Sequence, residues 1–250
     1  MYFKEGTSQT LKTALMTLVL LFLGCSKEQP ITTKLDSGLE TQSALILEGK
    51  SGSARVRLRP FIEKHGESPD ALFLMGLSYR KEKQYAKAVD WFTQSTASSE
   101  RLYPPSLHYL GWSYFYLGDT NRATLAFTTF LEHQPQEADS LFALGLLATE
   151  EGNLVGAKKL FQRALDSPNS TDNIQAKTKA RLADVYVELD DRDGAILLYQ
   201  EAVQINPDLY EAWYRLSQTL KRTGNETASG EAYLQSELAK KRVRPDLFST

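Results

Sequence analysis

Several short patterns in this chain place ligand-holding residue types at suggestive spacings. Ala44-x4-Gly49-Lys50-Ser51 has the residue types of a phosphate loop, in which small residues let backbone N–H groups wrap the phosphates after a strand. The intervening Leu45-Ile46-Leu47-Glu48 is bulky and helical in pattern, so nucleotide binding is not expected. Asp191-x-Asp193-Gly194 has part of a calcium loop, but Leu189 and Gln200 stand at the first and twelfth positions, where carboxylates are required. His65, His108 and His133 have no paired-ligand spacing, and neither HExxH nor GxSxG occurs, so zinc and serine-hydrolase chemistry have no carrier. Asn169-Ser170-Thr171 and Asn225-Glu226-Thr227 fit the glycosylation acceptor, a pattern short enough to arise by chance. These residues predict no catalysis, no metal and no cofactor, and hence a protein that is not an enzyme.

Composition narrows the remaining classes. The 250 residues carry 29 Lys+Arg against 31 Asp+Glu, a net charge of −2, with 42% hydrophobic residues. That balance is globular, and without a clustered basic excess nucleic acid is not an expected partner. A single cysteine, Cys25, excludes an intramolecular disulfide framework.

The position of that cysteine is informative. Thr13 to Gly24 is an uncharged, mostly apolar run preceded by Lys4 and Lys12 and followed by Cys25-Ser26-Lys27. Spanning a bilayer takes about 20 apolar residues, so the run reads as the apolar core of a cleaved signal peptide. Leu21-Phe22-Leu23-Gly24-Cys25 resembles the bacterial lipobox. The resemblance implies a signal peptide over residues 1–24, acylation of Cys25 and a lipidated tether over residues 25–34. Acyl chains hold a soluble domain on a membrane by about 0.8 kcal/mol per buried CH2. Ser26 in place of Asp resembles lipoproteins sent to the bacterial outer membrane, facing the periplasm.

Beyond the tether the elements repeat. Leu110 to Pro135 contains a small residue, an aromatic three later, a Gly turn, an Ala, an aromatic four later and a closing Pro. This unit resembles the tetratricopeptide repeat, a helix–turn–helix of about 34 residues. With the small residue at position 8, the register places Gly76, Gly111, Gly145, Ala183 and Ser217 there. Position 20 is Ala88, Ala123, Ala157, Ala195 and Ser229, and position 24 is Phe92, Phe127, Phe161, Tyr199 and Tyr233. A degenerate first unit carries Gln42 at position 8, the Gly49 turn, Ala54 and Leu58. Six units follow from this frame: 35–68, 69–103, 104–137, 138–175, 176–209 and 210–243, with a tail over 244–250. The four extra residues of the fourth unit are expected in a loop from Ser167 to Asn173, and Gly118, Gly152 and Gly224 at interhelix turns, where φ > 0 is cheap for glycine.

Each helix pair has an apolar face that it cannot bury alone, so neighbours must stack. The resemblance implies an all-α, right-handed superhelical solenoid whose first helices line a concave groove through positions 2, 5, 9 and 12. Those positions nominate Phe73 and Leu77, then His108, Trp112 and Phe115 with the adjacent Tyr116, then Phe142 and Leu146 as a peptide-binding stripe, the alternative being that these aromatics pack against neighbouring helices as core. Farther on the lining turns polar, with Asp184, Tyr214, Gln218 and Lys221. The groove lacks the Lys and Asn set of members that clamp a chaperone's C-terminal carboxylate. Lys240-Lys241-Arg242-Val243-Arg244 is the one local basic run and reads as a solvated helix end, with contact to anionic lipid or lipopolysaccharide phosphate as the alternative. The functional expectation is a lipid-anchored scaffold that binds another envelope protein and assists its assembly. Type IV pilus pilotins, which help a secretin reach the outer membrane, are one resemblance of this size and repeat number; an accessory subunit of a peptidoglycan or polysaccharide system is the alternative.

Overall fold

A computed structural model describes residues 35–98 and 104–247. Cys25, the expected signal peptide and the expected tether lie outside the described residues. Those described form twelve α-helices and one 3-10 turn, Pro245–Leu247, with no strand among them. The fold class is all-α. In chain order they are α1 Glu40–Leu47 and α2 Ser51–His65, α3 Pro69–Lys81 and α4 Tyr85–Ala97, and α5 Pro104–Tyr116 and α6 Thr120–His133. They continue as α7 Ala138–Glu150 with α8 Leu154–Leu165, α9 Asp172–Glu188 with α10 Arg192–Ile205, and α11 Tyr210–Arg222 with α12 Glu226–Val243. Two compact units divide between Asp119 and Thr120, so the first ends with α5 and the second begins with α6.

Side-chain caps start six of these helices. Ser68 accepts from the Ala71 N–H before Pro69, and Thr171 from Ile174. Asn153, Asp191 and Asn225 occupy one register position in successive repeats, and each accepts from the N–H three residues on. Such a cap stabilises a helix by about 1 kcal/mol. The residue before each of these three caps has positive φ, as at all six turns: Gly49, Lys83, Gly118, Gly152, Asp190 and Gly224 lie between 58° and 84°. Glycine adopts this conformation freely, whereas Lys83 and Asp190 hold it at a cost of about 1 kcal/mol or more.

Small residues at position 8 have a specific steric cause. A Cβ on Gly76 would meet the Phe92 ring at 2.5 Å, and one on Gly145 would clash with Phe161 in the same way. The result is one geometry repeated in both units: Phe73 lies 6.0 Å from Phe92 at 43°, and Phe142 lies 6.0 Å from Phe161 at 46°. In the last repeat, Ser217 at position 8 and Ser229 at position 20 bring hydroxyls 3.2 Å apart. Two expectations need correction. The extra residues of the fourth unit go chiefly into helix: α9 has 17 residues where α3, α5, α7 and α11 have 13, one added N-terminal turn, while the loop before it, 166–171, is only slightly longer than 134–137 or 206–209. That turn is retained because its Ile174 is buried. Tyr233, placed with the core aromatics of position 24, is 48% exposed, whereas Tyr199 at that position is 1% exposed. Packing of α11 against α10 covers Tyr199, whereas Tyr233 lines an open cleft.

Candidate functional site

In the first unit, the C-terminal turn of α5 gathers aromatic side chains. Trp112 and Tyr116, one turn apart on the same helix face, stack with ring centroids 5.9 Å apart, and Phe115 meets Trp112 edge-on at 5.4 Å. Tyr85, at the start of α4, stacks on Tyr116 at 4.7 Å and 18°. Burial grades across this cluster: Trp112 is 8% exposed and Tyr116 52%, with Phe115 and Tyr85 between. Tyr116 and Phe115 are therefore the solvent-facing part of the cluster, and Trp112 is its buried base.

The rest of the nominated stripe in this unit is interior. Phe73 and Leu77 are buried, because Phe73 sits against both Phe92 and Tyr109, the latter at 5.5 Å. His108 is also buried, edge-on to Tyr109 at 4.9 Å. Their assignment to the groove lining is corrected: positions 5 and 9 lie close enough to the helix contact that large side chains there are drawn into it. In the second unit Phe142 is likewise buried against Phe161, and Leu146 is partly buried.

The open concavity of the second unit has different chemistry. A cleft of about 750 Å³ between α9, α11 and α12 is lined by Arg181, Asp184, Tyr214, Arg215, Tyr233 and Lys240, among others. Asp184 is its electrostatic centre. Its carboxylate accepts from the Tyr199 hydroxyl at 2.5 Å and from Arg181 at 3.1 Å, and pairs with Arg215 at 3.2 Å. Burial of Tyr199, and then the charge and hydrogen bond of Asp184, push its phenol well above the ordinary value of 10.0, so it stays a donor. Asp184, Tyr214 and Gln218 line this cleft as the register indicated, but Arg181, Arg215 and Tyr233 were not nominated. The readable signal was Tyr199 itself: a phenol where the preceding repeats carry phenylalanine needs a buried partner.

The chemical look-alikes take structural places. Gly49 is the α1–α2 turn, with φ of 76°, and Lys50 pairs with Glu48 at 2.8 Å. Asp191 caps α10. No group of three or more metal-ligating side chains occurs among the described residues. None of the described helices is long and apolar enough to cross a membrane.

Sequence models described as tetratricopeptide repeat match residues 48–104, 110–173, 176–219 and 210–240. No curated protein sequence matches the chain. Among solved structures, Pseudomonas aeruginosa pilF is similar with a TM-score of 0.69 at 17% identity, covering 83% of this chain and 90% of that one. The anaphase-promoting-complex hetero-tetramer Cut9–Hcn1 gives a TM-score of 0.69 at 17% identity over 80% of this chain, which spans only 39% of that chain. YrrB, a repeat protein with an unusual peptide-binding site, gives 0.58 at 18% identity, covering 71% of this chain and 89% of that one. At these identities the likeness is one of fold.

Proposed function

Since the chain belongs to the tetratricopeptide repeat family, we propose that it is a non-enzymatic scaffold that binds a protein partner through the aromatic end of α5. The scaffold is held on the periplasmic side of the bacterial outer membrane by acylated Cys25. There it assists assembly of an envelope complex, of which a type IV pilus secretin is the leading candidate. The observation that carries partner binding is the half-exposed Tyr116 stacked on Tyr85 and seated on Trp112. A rigid aromatic surface of this kind is what interface hot spots are made of. The fold likeness to pilF over 90% of that chain supports the pilus reading, and the lipobox-like Leu21 to Cys25 supports the anchor.

The test is quantitative co-purification from solubilised membranes, wild type against Phe115→Ala, Tyr116→Ala at equal expression. Loss of a secretin from the variant supports the proposal. Loss of a peptidoglycan or polysaccharide synthesis component instead assigns the scaffold to a glycan system. Identical partner profiles refute the α5 site. Labelling with a radioactive fatty acid, absent in Cys25→Ser, tests the anchor separately.

A further inference from the structure

The last repeat breaks a rule that the repeats before it keep. Positions 25 and 29 are polar and exposed in the third, fourth and fifth units: Thr128 and Glu132, Gln162 and Asp166, Gln200 and Gln204. In the sixth they are Leu234 and Leu238, 57% and 43% exposed. A helix face that meets water ordinarily carries polar residues; this one carries leucines. The two leucines lie one turn apart, on the side of α12 opposite its buried Ser229, Ala232, Ser236 and Ala239. On that same outer side, Gly230 has open space where a Cβ would sit, so another backbone can approach closely.

Charge selects what covers this face. The first half of α12 carries Glu226 and Glu231, and its end carries Lys240, Lys241 and Arg242, with Glu237 between. A helix with this polarity complements itself when run antiparallel. An anionic lipid surface fits less well, because Glu231 and Glu237 flank the leucines. We propose that α12 pairs antiparallel with α12 of a second copy of this chain, about a twofold axis beside Ser236. At that register Leu234 opposes Leu238 of the other copy, and Glu231 opposes Lys241. Each contact occurs twice by symmetry. Both charged residues are exposed, and no ion pair within the described residues engages either.

Charge reversal tests the pairing on the full-length chain in non-ionic detergent, with dimer fraction read by sedimentation at low salt. Glu231→Lys and Lys241→Glu each set two like-charge pairs across the axis, and each weakens self-association about five- to tenfold. The double variant re-forms the pairs in reverse and returns to within about twofold of wild type. Leu234→Ser with Leu238→Ser removes the dimer at concentrations where wild type is half dimeric. All four positions are solvent-facing, and an unchanged far-ultraviolet circular dichroism spectrum verifies the fold. A wild type that stays monomeric, or single reversals that the double variant does not rescue, overturns the pairing. So does a monomer whose binding to anionic vesicles falls with Lys241→Glu, which hands the face to a lipid surface.

Discussion

The end of α5 in the first unit and the cleft of the second solve one problem with different side chains. In the first, Trp112, Phe115, Tyr116 and Tyr85 stack, and the exposed edge of the stack is apolar. In the second, Asp184 ties Tyr199, Arg181 and Arg215 together, and the exposed surface is charged. Repeat architecture fixes the backbone and leaves the lining free to vary, so one chain carries surfaces of unlike chemistry. The aromatic surface gains from area removed from water, at about 25 cal/mol per Å², and this is nearly independent of salt. The charged one is screened over about 8 Å at physiological ionic strength.

The largest expected effect separates buried from exposed aromatics at one register position. Phe92→Ala in the first unit and Phe161→Ala in the second each remove a fully buried ring, and each lowers stability by about 3–5 kcal/mol. Tyr233→Ala, at the same position in the last repeat, costs less than about 1 kcal/mol because half the ring already faces water. Chemical denaturation read by hydrogen exchange in each unit checks all three. Equal losses would show that the end of the second unit is covered after all.

The charged network gives a smaller effect. Asp184→Ala strands Tyr199 and two guanidinium groups and costs about 1–3 kcal/mol in the second unit; the corresponding loss in the first unit is nil. The network also makes the second unit alkali-sensitive. Tyr199 is raised above its unfolded value of 10.0, so its contribution is complete below that pH and is lost as pH rises beyond it, when the unfolded phenol ionises and the folded one resists. Tyr199→Phe should flatten that decline, measured as thermal midpoint against pH.

The smallest effect is a gain. Lys83→Gly removes positive-φ strain from the first unit, and Asp190→Gly removes it from the second. Each should stabilise by about 0.5–1 kcal/mol. The Asp190 gain should be the smaller, because the change also removes an ion pair with Arg192 at 2.8 Å. Differential scanning calorimetry of each variant against wild type reads both.

Much of this was legible in the sequence. Position 8 must be small because position 24 is an aromatic ring lying against it, and glycine marks four of the six left-handed turns at position 15, so most of the register was readable; Lys83 and Asp190 hold the same turn without that signal. The depth of each groove residue did not. Positions 5 and 9 are named for a helix face, but the face is shared between groove and interhelix contact, and Phe73, His108 and Trp112 fall to different sides according to what α4 and the neighbouring rings cover. Arg181 and Arg215 were missed for a related reason: long side chains cross from a non-groove position to reach Asp184. The added turn of α9 escaped because its polar Asp172-Asn173 start reads as loop until Ile174 is seen to be buried.

On the proposed function the partner docks on the exposed aromatic edge of α5 and not in the charged cleft. The direct measurement is partner capture by wild type, by Phe115→Ala, Tyr116→Ala, and by Tyr214→Ala, Arg215→Ala, at low salt and again at about 0.5 M salt. Capture that disappears only with the α5 pair and survives salt is the predicted result. Capture that persists in the α5 variant and disappears with the cleft pair or with salt would contradict it.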